Sequence, residues 1–406
     1  MLKIFFSIIV IILVCCNEGD IIGKSSNGEI KTYYSLKEAL KEPEKVQSLA
    51  LSYFLDSRMP EEKPVYFFPK EIFKFRNLKR LILARTYIQE VPEEISQLKN
   101  IESLVFSKSL IRNFPKSIIK LRKLKILDLS GGLIKKIPKN IKQLNELEYL
   151  NVSDNLIKEI PKDIGYLKKL KQIEFSNNLL KEIPREVFQL KKINRIVGSK
   201  NFLNIIPEEI GMLKKLKEID LNDNQIESIP ESFYSLNNLE EAYLGKNKIT
   251  YISPKISKLQ KLWRLKLNEN NIKVIPKEIS KSINLSYLSL DRNRIKKIPF
   301  EIVYFKTKEL GLSGNKIEKF PKKFFELAKT REKKMYVSIF GNPIKAEQKE
   351  KLINLKRNRW SFIFDEDKAI RFGLHYSIEV DFWAARGIKD YYEETYKKER
   401  QKALKK

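Results

Sequence analysis

Short apolar–polar–apolar triplets punctuate this chain at a fixed interval. Leu150 and Val152 bracket Asn151, and Leu288 and Leu290 bracket Ser289. A period of two puts each bracketing pair on one face of an extended strand. Strand starts of this kind fall at Leu81, Leu104, Leu127, Leu150, Ile173, Ile196, Ile219, Ala242, Leu265 and Leu288, all 23 residues apart. Leu310 and Val337 continue the series with altered spacing, and Leu49-Ala50-Leu51 precedes it by 32 residues. Strands this short cannot bury an apolar face alone, so the pattern predicts coils stacked into one parallel sheet.

Two further landmarks keep the same phase. Proline recurs at Pro69, Pro92, Pro115, Pro138, Pro161, Pro184, Pro207 and Pro230; Ser253 with Pro254 takes the next slot, Pro276 and Pro299 resume it, and Pro321 comes one residue early. Asparagine follows at Asn155, Asn178, Asn201, Asn224, Asn247, Asn270, Asn293 and Asn315, with Thr86, Ser109 and Gly132 in the three earlier coils. Copies such as LEYLNVSDNLIKEIP and LSYLSLDRNRIKKIP match L-x-x-L-x-L-x-x-N at a period of 20–29 residues, the leucine-rich repeat. The expected fold is an α/β repeat solenoid of about 13 coils, a curved horseshoe or arc about 60 Å across at about 4.8 Å per strand. Its concave face is a parallel sheet and its convex face carries short helical or 3₁₀ turns. Proline starts the outer segment, where φ is fixed and no strand N–H is needed. The Asn amides point inward as a ladder, donating to and accepting from turn backbone of their own and the adjacent coil.

Both ends of the array resemble bacterial leucine-rich-repeat proteins of the 23-residue-repeat type. TYYSLKEALKEPEKVQSLALSYF (32–54) is similar to their opening segment, a short helix and a first strand, and FGNPIKAEQKEKLINLKRNRWSFIF (340–364) to their closing one, "GNP" followed by a helix and a final strand. The resemblance covers residues 32–364. It implies protein–protein interaction, including surface contact with host components in some members. Helices at Leu36–Lys41 and Ala346–Leu355 are positioned to cap the terminal coils.

The chain opens MLKIFFSIIVIILVCCN. Lys3 precedes an eleven-residue apolar run, Ile4 to Val14 interrupted only by Ser7, which has the length of a signal-peptide core and falls short of a bilayer span of about 20 residues. Leu13-Val14-Cys15-Cys16 resembles a bacterial lipoprotein signal, with Cys15 standing where Ala, Gly or Ser is usual. The resemblance implies cleavage before Cys16 and lipidation of Cys16, hence an exported, membrane-anchored lipoprotein of the bacterial envelope, with the cell surface as one destination. A plain secretory signal and an uncleaved anchor are the alternatives. The expected layout is a signal peptide at 1–15, lipidated Cys and tether at 16–31, the repeat array with its N-terminal cap at 32–342, and a C-terminal cap with a β/α tail at 343–406.

Composition removes several chemistries. Cys15 and Cys16 are the only cysteines and His375 the only histidine, which excludes a disulfide framework in the array and any Cys- or His-cluster metal or nucleophile site. No Gly-rich phosphate loop occurs either, so we expect no enzyme, no cofactor and no metal. The chain carries a formal +29, yet residues flanking the inward strand pairs comprise ten acids and nine bases. A phosphate-binding groove needs concentrated Lys and Arg, so the concave face is not a nucleic-acid site and the lysine excess belongs on convex loops and the tail. Two concave groups are candidate protein- or peptide-binding patches on an expected monomer: Glu218, Asp220, Asp223, Glu241 and Tyr243, and Tyr287, Asp291, Arg292, Tyr336 and Phe340. Each stands against the alternative of an unselected solvent face. The expected function is a lipid-anchored protein-binding scaffold, surface-exposed and adhesive as one form of it. The alternative is an envelope structural protein holding glycans or anionic lipid through its basic convex face.

In the tail, Phe372, Leu374, Tyr376, Ile378, Val380 and Phe382 alternate with polar residues, including His375 on the solvated side, and predict a strand. Trp360, Phe362 and Phe364 alternate likewise, which makes a hairpin about Asp365–Lys368 the expected pairing. Beyond Gly387 a helix follows with Tyr391, Tyr392 and Tyr396 on one side. An enlarged cap and an aromatic docking patch with a basic end are both open readings.

Overall fold

The computed structural model describes residues 30–51, 65–330, 334–355, 359–365 and 386–405. Fifteen strands form one all-parallel sheet whose spatial order is the chain order. β1 is Thr32–Tyr33, β2 is Ser48–Ala50 and β3 is Arg80–Ile82. β4 (Ser103–Val105), β5 (Ile126–Asp128), β6 (Tyr149–Asn151), β7 (Gln172–Glu174), β8 (Arg195–Val197), β9 (Glu218–Asp220), β10 (Glu241–Tyr243), β11 (Arg264–Lys266) and β12 (Tyr287–Ser289) follow in step. β13 (Glu309–Gly311), β14 (Met335–Ser338) and β15 (Trp360–Ile363) close the sheet. This is a leucine-rich-repeat solenoid. Neighbouring strands pair residue for residue at the repeat interval, as Leu150 with Ile173 and Ile196 with Ile219.

The thirteen strands expected from the apolar triplets are β2 to β14. The sheet gains one more at each end. β1 pairs Tyr33 with Leu49 inside the opening segment, too short a stretch to show alternation. β15 pairs in parallel with β14, Phe362 facing Val337. The run 372–382, its expected hairpin partner, and His375 lie outside the described residues, as do the leader with Cys16 and the tether up to residue 29.

Each coil then turns outward at its proline. Pro207, with φ −64° and ψ 151°, precedes the five-residue 3₁₀ turn Glu208–Met212, and Pro161 does the same for Lys162–Tyr166. Where Ser253 replaces proline, its hydroxyl accepts from Lys255 N and Pro254 occupies the first turn position. Five residues afford little over one 3₁₀ turn, which keeps the convex side thin. Between β13 and β14 the longer interval is taken up by a true helix, α2 (Lys322–Leu327), after α1 (Leu36–Ala39) at the start. α3 (Ala346–Asn354) follows near the end of the array. One continuous apolar core runs from Tyr33 to Trp360, so a fragment of residues 30–406 retains every residue of that core.

Immediately before each ladder position the backbone enters the left-handed region. Arg85, Lys108, Asp154, Asn177, Lys200, Asp223, Lys246, Glu269 and Arg292 have φ between 51° and 58°, and Gly131, Gly314 and Gly341 take the same slot. Non-glycine residues there cost energy; the hydrogen bonds of the ladder hold the turn in place.

The candidate binding surface

In each three-residue strand the middle side chain points into the core and the outer two face the concave side: Ile219 is fully buried while Glu218 and Asp220 are half-buried. Such outer residues on adjacent strands stand side by side, so charges 21 or 23 residues apart in sequence meet. Arg195 on β8 lies between two carboxylates, paired with Glu174 on β7 and, at 2.9 Å through Nε, with Glu218 on β9. On β10 the Tyr243 hydroxyl donates to the Glu241 carboxylate. Arg264 on β11 donates to the Tyr243 hydroxyl at 3.1 Å and lies 3.5 Å from Glu241 Oε2. Its guanidinium also stacks over Trp263 at 4.3 Å and stands 5.3 Å from the Tyr287 ring. Lys266 Nζ sits 5.5 Å from the Tyr243 ring centre.

Burial, nearly complete for Glu241 and partial for the others, shifts the carboxyls and the lysine toward neutrality. Desolvation raises Asp220 to about 6, opposed by the hydrogen bond from Asn222 N, and raises Asp128 to about 6, opposed by hydrogen bonds from Ser130. Glu174, Glu241 and Glu309 are pushed up by the same cause. Desolvation and then the charge of Arg264 lower Lys266. The Tyr149 hydroxyl is buried near Asp128, Glu174 and Asn151 without a hydrogen bond of good geometry. The strip from β5 to β13 is therefore a surface of partly desolvated charges held by one another, already arranged before any ligand arrives.

Of the first predicted patch, Glu218, Asp220, Glu241 and Tyr243 share this strip, with Glu241 itself buried among its partners; Asp223 is exposed one turn further on, at a left-handed rim position. Of the second, Tyr287 joins the central strip through Arg264. Asp291 is buried, its carboxylate accepting from Ser289 Oγ at 2.7 Å and Ser313 N at 2.8 Å, so it fastens two turns together and stands off the surface. Arg292 is an exposed rim residue. Tyr336 and Phe340 pack on Ile363 of β15 in a small separate cluster. The residue signal for Arg195, Arg264, Lys266 and Trp263 was present in their positions beside the inward pair, but their mutual partners were not.

The expected asparagine ladder is formed. Asn155 Nδ2 reaches Leu129 O of the previous coil at 2.9 Å and Val152 O and Ser153 O of its own, while Oδ1 accepts from Ile134 N at 2.9 Å. Asn178, Asn201, Asn224, Asn247, Asn270, Asn293 and Asn315 repeat the pattern. Asn342 extends it, bonding Leu312 O and Ile339 O; its "GNP" setting masked the match. In the two earliest coils Ser109 and Thr86 donate to Leu83 O instead.

A second feature lies on the flank where strands turn outward. The C-terminal helix α4 (Arg386–Leu404) returns across the array and docks there. Tyr396 is 7 % exposed and packs with Leu133, Leu156 and Leu179, with Phe202 and Ala403 alongside. Its hydroxyl donates to Asn177 O at 2.8 Å and lies 3.2 Å from Asn155 O, and Arg400 donates to it at 2.8 Å. A hydrogen bond from Lys402, with the nearby charges of Lys135 and Arg112, holds Glu399 below the usual carboxylate range. The described end of the tail therefore docks on mid-array coils. The slot just after the ladder is apolar in coils 110, 133, 156, 179 and 202 and polar from Gln225 onward, a signal in the sequence for where the helix lands.

Fold and surface together define a leucine-rich-repeat solenoid with a preorganised concave face. Family models agree: one described as a leucine-rich repeat region matches residues 66–152, and two described as leucine-rich repeat match 215–236 and 238–295. No curated protein matches the chain. Among solved structures, a leucine-rich-repeat protein of Leptospira interrogans is similar at 25% identity and TM-score 0.67, over 82% of this chain and 100% of that one. The plant peptide hormone receptor RGFR1, solved in complex with RGF2, matches at 26% identity and TM-score 0.59, over 68% of this chain and 50% of its own. An internalin of Listeria monocytogenes shares the fold at 21% identity and TM-score 0.57, covering 80% and 82%.

Proposed function

We propose that this protein is a non-enzymatic scaffold that binds a protein or peptide on its concave sheet, centred on β7 to β12. The observation that carries the reading is the cross-strand network Glu174–Arg195–Glu218 and Glu241–Tyr243–Arg264. Half-buried charges held in place before binding contribute orientation and selectivity, and Tyr243, Trp263 and Tyr287 add the aromatic contact area that protein interfaces favour. A peptide ligand is the class carried by the plant receptor with the similar fold. Described residues offer no group of three or more His, Cys, Asp or Glu placed to hold a metal, and among them no helix is long and apolar enough to cross a membrane. The anchor in this reading is the acylated Cys16, which places the scaffold on a membrane of the bacterial envelope.

A random-peptide library selected against residues 30–406 tests the concave site. Peptides enriched on the wild type are expected to lose about tenfold or more in affinity, about 1.4 kcal/mol, on Glu218→Lys with Asp220→Lys, and on Tyr243→Ala. Enriched peptides that bind all these variants as tightly as wild type sink the reading. Membrane fractionation of Cys16→Ser tests the anchor separately: a variant that stays as firmly membrane-bound as wild type refutes it.

A further inference from the structure

Both flanks of the solenoid carry exposed lysines, and only the downstream one also receives the C-terminal helix. On the upstream flank, where the chain approaches each strand, four lysines meet acids of adjacent coils, Lys125 with Glu102, Lys169 with Glu146, Lys171 with Glu148 and Lys217 with Glu240, at 2.6–2.9 Å, while Lys168, Lys191 and Lys215 stand exposed beside them. On the downstream flank, the outward residue two beyond the apolar slot is Arg112, Lys135, Lys158 and Lys181 in four successive coils. All four are exposed, and none is in an ion pair with a described residue. Period-two alternation puts Leu156 and Lys158 outward on either side of the inward Ile157, so the lysine row runs beside the apolar stripe that α4 covers.

Docking of α4 adds a second cationic strip to the first. Residues 112–113, 135–136, 158–159 and 181–182, together with 395–405, carry ten Lys or Arg and three Glu. Tyr396 packs on Leu133, Leu156 and Leu179, and Glu399 lies in the field of Lys135 and Arg112, so the two strips adjoin although more than 200 residues separate them in sequence. At 1.5 Å per residue the helix is about 28 Å long, and it lies over coils at about 4.8 Å spacing. Leu404, 52 % exposed, stands between Lys402 and Lys405.

We infer that this downstream flank, lysine row and docked helix together, is the face the protein lays against an anionic lipid bilayer. Cations spread over four coils and a helix match a two-dimensional anionic surface, whose potential acts on every Lys or Arg within a Debye length. The exposed leucine among lysines favours a bilayer over a soluble polyanion, because only a bilayer has acyl chains beneath its headgroups. With this flank down, the concave sheet opens sideways, parallel to the membrane. The inference rests on neither the concave-face reading nor lipidation of Cys16, and it gives part of the +29 charge a location.

Flotation of unlipidated residues 30–406 with vesicles tests it, using phosphatidylcholine alone and phosphatidylcholine with about a third phosphatidylglycerol. Wild type is expected to float with the anionic vesicles at low salt and to be released by high salt. The triple variant Lys135→Glu, Lys158→Glu, Lys181→Glu and the helix variant Lys398→Glu, Lys402→Glu are each expected to bind about tenfold or more weakly. An upstream control with equal charge change, Lys168→Glu, Lys191→Glu, Lys215→Glu, is expected to stay within about twofold of wild type. Single Lys158→Glu, at an exposed site, reads the same effect at smaller size if the triple variant misfolds. Equal loss in the upstream control, floating with pure phosphatidylcholine as readily, or flank-dependent capture by a soluble sulfated polysaccharide without vesicle binding would each overturn the inference.

Discussion

The ladder asparagines show how much one residue can be asked to do. Each serves two coils, and removing one leaves buried carbonyls of both without a donor. Asn201→Ala is expected to cost about 3 kcal/mol, read by urea denaturation. Arg195 poses a different problem. Taking away its guanidinium leaves Glu174 and Glu218 half-buried with like charge, so Arg195→Met is expected to destabilise by about 2–3 kcal/mol; adding Glu174→Gln and Glu218→Gln should recover most of it. Asp220 works against the fold at neutral pH. Burial raises its carboxyl to about 6, above the unfolded value, so the folded state keeps its proton longer than the unfolded chain does. Its contribution is intact below about pH 4 and declines as pH rises to about 6. Asp220→Asn retains an acceptor for Asn222 N and is expected to stabilise the protein by about 1–2 kcal/mol at pH 7 and to have little effect at pH 4. Equal effects at both pH values would contradict this account.

Among the elements, the 3₁₀ turns and the strands are local in origin. Proline fixes φ at the outward bend, and the apolar pair fixes the strand. Helix α4 is different, since its place depends on a cluster built from four coils and one tyrosine. Among the described side chains of the helix, that contact is one tyrosine with Ala403 alongside, which puts its release at the low end of local opening free energies. Tyr396→Ala is therefore expected to speed hydrogen exchange and proteolysis within 386–404 while leaving the main melting transition in place. Tyr396→Phe, which loses the hydroxyl's contacts with Asn177 O, Asn155 O and Arg400, should weaken docking by about 1 kcal/mol. If Tyr396→Ala lowers the main transition by more than a few degrees, the helix is part of the cooperative core instead.

For the whole molecule, each coil touches its neighbours, so stability is close to a sum of coil and interface contributions. Deletion of residues 242–264, one full 23-residue period, brings Glu241 next to Leu265 and keeps every slot in phase. The shortened chain is expected to fold with a cooperative melt somewhat below wild type, followed by circular dichroism. Deleting 242–261 breaks the phase by three residues and should abolish that melt, because strand, ladder and proline slots no longer meet their counterparts.

Sequence alone determined the coil. The apolar slots of Leu150 and Val152 recur 23 residues on as Ile173 and Phe175, and Asn155 and Pro161 as Asn178 and Pro184, and a stacked copy places like beside like; one coil's pattern therefore fixes strand, ladder, outward turn and the parallel register of β2 to β14. What only the tertiary structure decided lies where that rule is broken. Thr32–Tyr33 becomes a strand because β2 offers it a free edge, and Asp291 turns inward because Ser289 and Ser313 supply its hydrogen bonds. Arg195 shares itself between two strands, and Arg264 draws Tyr287 into the central strip, since pairings between coils depend on reach and burial that a single coil does not encode. The flank carries the sharpest case. The apolar slot at Leu133, Leu156, Leu179 and Phe202 was legible as an excess of hydrophobic residues, but its occupant was not. Nothing periodic links it to Tyr396, and only folding brings that tyrosine back across the sheet to the carbonyls of Asn155 and Asn177.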